Sequence, residues 1–99
     1  MSPSPPAETC RIDVWLWRAR FFKTRAEAAR FVETARPRRL RHGSEARLDK
    51  PSRSVQPQDR LVFARAGRLI DVQVIACGVR RGPPAEARAL YLSTEEPTA

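Results

Sequence analysis

Apolar residues recur at helical spacing in two adjoining stretches near the start of the chain. Ile12, Trp15, Leu16, Ala19 and Phe22 fall at i, i+3, i+4, i+7 and i+10, which predicts one buried stripe on a helix over residues 12–22. Asp13 lies in its first turn, where a carboxylate complements the free amides. Arg18 and Arg20, with Trp17 near them, point away from the stripe. A second helix is predicted to start at Thr24. The run T-R-A-E is a capping box, in which the Thr24 hydroxyl accepts from the Glu27 amide and Glu27 reaches back. Ala28, Phe31, Val32 and Ala35 continue its apolar face. Pro37 ends it, because the residue before a proline is driven out of the α region. Both helices carry cations on the faces that do not pack.

Beyond Pro37 the pattern turns to β. Residues 39–41 read as a short strand with 42–45 as its turn, and 50–52 as a loop. Residues 60–64 and 69–79 read as stronger strands joined by 65–68, where Gly67 supplies the positive φ of a hairpin turn. Ile70, Val72, Val74 and Ala76 alternate with Asp71, Gln73, Ile75 and Cys77. Pro83 and Pro84 precede a helical candidate over 85–92. The expected class is α+β, helices first and strands after. Residues 1–9, rich in Pro and Ser, read as a disordered lead-in, 10–92 as one domain, and 93–99 as a disordered tail.

Charge changes the picture. Nineteen Lys and Arg oppose eleven Asp and Glu, for a net +8. Residues 11–68 hold 16 of those cations and 6 of the acids, whereas 1–10 and 69–99 are each slightly acidic. A positive field confined to one part of a small domain favours a polyanionic partner. The plainer alternative is a solvated basic surface. Seventeen of the cations are Arg, whose planar fork suits phosphates and bases.

Candidate chemistry is sparse. His42 is the single histidine, and Cys10 and Cys77 form no C-x-x-C pair, so a zinc site is not expected. Two cysteines far apart in sequence suit a reducing cytosol. The first residues have no apolar segment of a signal peptide, and no run reaches the ~18 apolar residues of a membrane span. There is no Ser/His/Asp set, no carboxylate pair and no Gly-rich phosphate loop. Asp13 beside Arg11 reads as a carboxylate that orients arginines, and His42 as a turn residue. Catalysis is not expected.

The run R-I-D-V-W-L-W-R-A-R-F-F-K-T-R over 11–25 resembles the opening of the S4 RNA-binding domain family. More narrowly it is similar to the bacterial ribosome-associated heat-shock protein 15 family. K-P-S at 50–52, V-x-x-x-D-x-L at 55–61 and R-R-G-P-P-A-E-A-R-A-L-Y at 80–91 follow in the same order, so the resemblance covers about residues 10–94. It implies an αL-type module, a helical pair on a small, bent, mostly antiparallel five-stranded sheet. It further implies binding to structured rRNA of the large subunit, help in recycling stalled subunits that carry a nascent chain and peptidyl-tRNA, and no catalysis or cofactor. A cytoplasmic monomer, away from membranes, is expected.

Carried over onto this sequence, the resemblance places Arg11 and Asp13 at the RNA side of the first helix. It places Lys23, Thr24, Arg25 and Arg30 on the second helix, and Lys50, Ser52 and Arg53 on the adjoining loop. A phosphate at the start of the second helix would meet free amides and flanking cations. The alternative there is a capped helix with incidental charge. Arg36, Arg38, Arg39 and Arg41 read either as a solvated face or as a second strip along the RNA backbone; Arg39 is taken as a contact. Trp15 reads as core. Trp17 and Phe21 read as packing the helix–sheet seam, with base stacking as the alternative.

The chain departs from the family's pattern at several places. Val14 replaces a usual Lys, and the family's G-x-V-x-x-N-G becomes the stretch 34–43, without its first Gly and with His42 for Asn. Gln58-Asp59 replaces Gly-Asp, and a long basic C-terminal extension is not present in this sequence. These leave the register of the strand around 38–43 open. Two other readings also stay open. One is an accessory RNA-targeting S4 domain like those of pseudouridine synthases or a tRNA synthetase. The other is a generic basic domain that binds nucleic acid, duplex DNA included, without sequence preference.

Overall fold

The computed structural model describes residues 8–93, so the readings for 1–7 and 94–99 lie outside the described residues. The elements run β1 (Cys10–Arg11), α1 (Ile12–Arg18), α2 (Arg25–Ala35), β2 (Arg38–Arg41), β3 (Ser44–Arg47), β4 (Ser54–Val55), β5 (Arg60–Arg65), β6 (Arg68–Val74), α3 (Pro84–Arg88) and β7 (Tyr91–Ser93). Five strands form an antiparallel sheet in the order β3-β2-β5-β6-β7, and β1 pairs with β4 separately. The class is α+β, as expected. Glu8, read as lead-in, accepts a hydrogen bond from the Cys77 amide at 2.7 Å. Ser93, read as tail, pairs with Val72.

All five residues of the predicted first stripe are buried, yet α1 ends four residues earlier than the stripe suggests. Ala19 caps it and Arg20 adopts φ 66°. The Phe21 amide donates to Leu16 O at 3.0 Å and the Arg20 amide to Trp17 O at 3.1 Å. These are the two bonds of a Schellman motif, which satisfies orphan carbonyls at the helix end. Its accompanying apolar contact is Phe21 against Trp15, with ring centroids 6.0 Å apart. Phe21 also meets Phe63 and Tyr91, and Phe31 bridges Phe22 to Phe63. The sharp reversal thus brings aromatic rings onto the sheet, where each pair is worth about 0.5–1.5 kcal/mol beyond its area. Phe21 packs as expected.

In α2 the Thr24 hydroxyl accepts from the Glu27 amide at 3.0 Å. The helix stops where Arg36 turns left-handed at φ 51°. The predicted turn over 42–45 is shorter than the pattern suggests. His42 and Gly43, at φ 49° and 79°, make a two-residue hairpin, and Ser44 and Glu45 already belong to β3. Two successive positive φ angles match the twist of the flanking strands. The open register is resolved, with Arg39 opposite Ala46 and Arg41 opposite Ser44.

Two further boundaries differ. The strand predicted over 69–79 ends at Val74. Its continuation leaves the sheet because its carbonyls bond side chains of α1 and its end. Trp15 Nε1 donates to Ala76 O at 2.9 Å, Arg18 to Gly78 O at 2.8 Å, and Arg20 to Gly82 O at 2.7 Å. Arg18 and Arg20, read as cations on a free face, instead fasten this connection. The helical candidate over 85–92 shortens to α3, and Tyr91 and Leu92 pair with Val74 and Gln73 as β7. Pairing an open sheet edge outweighs another turn of a short helix.

Candidate nucleic-acid interface

The first turn of α1 is tied to the loop that follows β3. The Ile12 amide donates to Arg53 O at 2.8 Å and the Asp13 amide to Pro51 O at 3.3 Å. Orphan amides that could have faced a ligand are thereby satisfied by the K-P-S-R loop. The same bonds place Arg11 beside that loop. Asp13 is 3% exposed. It accepts two bonds from Arg11, both 3.0 Å, and one from the Val14 amide at 2.8 Å. A bidentate pair fixes the plane of the guanidinium, so the geometry of Asp13 is that of a residue that orients Arg11. The hydrogen bonds to Asp13 raise the Arg11 pKa above the ordinary arginine value.

Arg39, Arg41, Arg47, Lys50, Ser52, Arg53 and Ser54 line an open groove of about 690 Å³ between the β2–β3 hairpin and this loop. Strand alternation sets who faces it. Arg39 pairs with Leu61 and lies on the same face of the sheet as that core residue, but beyond the cover of the helices. It donates to Ser54 O at 2.8 Å. Burial holds the Arg39 pKa below the usual arginine range, and the neighbouring charge of Arg41, then of Arg53, acts the same way. Cations crowded so that one destabilises another make a site that gains from an anion. Arg38, one residue earlier, faces the opposite side and pairs with Glu45 at 3.7 Å.

Arg39, Lys50, Ser52 and Arg53 are therefore brought together, with Arg11 and Asp13 adjacent through the backbone bonds. Lys23, Thr24, Arg25 and Arg30 do not line that groove; they are exposed just before α2 and along it, and α2 packs on α1. Arg47 was not singled out from the sequence. Its signal was His42-Gly43: read as a two-residue hairpin, that pair makes 44–47 a strand returning along β2. Arg41, weighed only as part of a charge run, is anchored by Asp59, whose hydrogen bonds raise its pKa. Trp17 is half-buried, and its carbonyl accepts from Arg81 at 3.2 Å.

No protein-family model matches the chain. It is 37% identical to heat shock protein 15 of Escherichia coli K12 over 91 residues, 92% of this chain and 65% of that protein. It is 36% identical to a heat shock protein 15 homolog of Haemophilus influenzae, over 86% of this chain and 61% of that protein. A solved trimeric structure of heat shock protein 15 from Vibrio cholerae matches with a TM-score of 0.74 at 32% identity, covering 88% of this chain and 83% of that one.

The chain belongs to the heat shock protein 15 family. It spans slightly less than two thirds of the length of the curated relatives it matches. Two residues take a positive φ where the pattern has Asn or Gly, namely His42 and Gln58, at 49° and 78°. Both hold this left-handed conformation at a conformational cost that Gly would not carry. Among the described residues, no three His, Cys, Asp or Glu side chains group as a metal site, and no helix is long and apolar enough to cross a membrane.

Proposed function

We propose that this chain is a ribosome-associated RNA-binding protein of the heat shock protein 15 type. It holds structured rRNA of the large subunit and assists recycling of stalled subunits that carry peptidyl-tRNA. The observation that carries the reading is the groove in which Arg39, Arg41, Arg47, Lys50 and Arg53 converge. Five cations around one concave surface suit a folded phosphate backbone. Lys23, Thr24 and Arg25 at the start of α2, with Arg30 one turn on, give a second contact. Arg11, held by Asp13, and Ser52 join the first. The role is non-catalytic, requires no cofactor and belongs in the cytoplasm.

The subunit state is the one point at which a comparison favours a second reading. A monomer is the expectation from the sequence, but the solved Vibrio relative is trimeric, so assembly of three copies is the alternative. Co-sedimentation with separated ribosomal subunits at two salt concentrations tests the function. Selective pelleting with the large subunit, strengthened by bound peptidyl-tRNA, is expected. Equal pelleting with every RNA and with duplex DNA would leave only a generic basic domain.

A further inference from the structure

Cys10 and Cys77 lie 67 positions apart in sequence and have no role in the proposed interface. The structure brings them to one point. Cys10 is the partner of Val55 in the β1–β4 pair, and the Cys77 thiol donates to the Val55 carbonyl at 3.7 Å. Both residues thus lie against Val55, one through strand pairing and the other through its thiol. Both are free. Cys77 is buried at 2% exposure, whereas Cys10 is partly open to solvent.

We propose that Cys10 and Cys77 form a redox-modification site, a dithiol that closes to an intramolecular disulfide by exchange with a small-molecule disulfide of the glutathione class. The order of steps follows from exposure. Cys10, as thiolate, attacks one sulfur of the glutathione disulfide; the S–S bond breaks and one glutathione thiolate leaves. Cys77 then gives up its proton and attacks the Cys10 sulfur of the mixed disulfide, and the second glutathione leaves. Two protein thiols are oxidised, one glutathione disulfide is reduced to two thiols, and the thiol protons pass to the leaving thiolates. Burial raises the pKa of both thiols, and the neighbouring Cys77 adds to this at Cys10. The thiolate fraction is therefore small at neutral pH, and exchange accelerates as pH rises.

The bond would join β1 to the connection between β6 and α3. β1 ends at Arg11 and runs directly into α1, so the closed form pins the strand that enters the basic surface. Closing so long a loop restricts the unfolded chain, which predicts a Tm at least ~5 °C above that of the dithiol form.

The test incubates the full-length protein with oxidised glutathione at pH 8, followed by peptide mass mapping, thiol titration and thermal unfolding. A Cys10–Cys77 cross-link with the loss of two hydrogens, no free thiol, a raised Tm and full reversal by dithiothreitol is expected. Cys77→Ser should stop at a mixed disulfide on Cys10, and Cys10→Ser should react far more slowly. Stable glutathione adducts on both cysteines of the wild-type protein, or links only between chains, would overturn the proposal. So would two intact thiols after prolonged exposure, with Cys10 fully reactive once the protein is unfolded in the same buffer.

Discussion

Arg41 grips the buried carboxylate of Asp59 with two hydrogen bonds, 2.8 and 2.7 Å long, across 18 residues of sequence. Asp59 is 1% exposed and also accepts from the Gln56 amide at 3.0 Å. Its own carbonyl accepts from the Val74 amide at 2.7 Å. One side chain thereby ties the end of β2 to the turn before β5. Removing one partner of such a pair strands the other in a poorly solvated place. Asp59→Ala should cost about 3 kcal/mol. Arg41 keeps 25% exposure and can partly recover water, which holds the loss to the low end. Denaturant midpoints for D59A, R41A and the double variant would check this; additive losses would mean that the two residues act separately.

RNA affinity should fall by roughly 0.7–0.9 log units per log unit of salt for each phosphate neutralised. Lys50→Ala with Arg53→Ala should flatten that slope by about 1.5 while leaving the Tm within ~2 °C, because both side chains are exposed. Lys23→Ala with Arg25→Ala should act in the same direction. Titrations of each pair against a structured rRNA fragment at several salt concentrations would separate the groove from the α2 surface. An unchanged slope in either pair removes that set from the interface.

Gln58 stands at φ 78°, where the family pattern has Gly. A side chain there crowds its own carbonyl, at a cost of roughly 1–2 kcal/mol. Gln58→Gly relieves this but gives the unfolded chain more freedom, a loss of about 0.5–1 kcal/mol. A net gain of a few tenths to about 1 kcal/mol is expected, visible as a higher urea midpoint. The Gln58 amide bond to Val74 O, 2.8 Å, would survive the change.

Glu86 accepts bonds from Arg80 at 3.1 and 2.9 Å, which hold its pKa below the ordinary carboxylate value of 4.5. A depressed folded-state pKa contributes stability that is complete above the unfolded value. That contribution disappears as pH falls through the folded one. A carboxyl NMR titration should give Glu86 a midpoint below 4.5. Arg80→Ala or high salt should return it to that value, since the pair is open to solvent and screened.

The helical pair was largely legible because its information is local. The spacing of Ile12, Trp15 and Leu16, the Thr24 cap and the Pro37 stop each act within a turn or two. The stretch K-P-S and the run through K-T-R likewise pointed to a basic surface before any contact was known. What could not be read was where each periodic run yields to a distant partner. Phe22 continues the stripe of α1 on paper, yet the chain reverses at Arg20, and Phe21 and Phe22 pack beyond the helix end. Ile75 to Val79 alternate like a strand, yet Trp15 and Arg18 claim the carbonyls.

The sequence by itself determined the class, the two helices, the concentration of charge and the residue types of the basic surface. Short-range backbone preferences and composition suffice for these. Only the tertiary structure decided which arginines remain available. Arg18 and Arg20 bond to the backbone of the connection after β6, Arg41 is held by Asp59, and Arg39 is left crowded in the groove. It also decided that Cys10 and Cys77 both lie against Val55. Each outcome depends on strand pairing between segments tens of residues apart, where a shift of one position reverses the face a side chain presents.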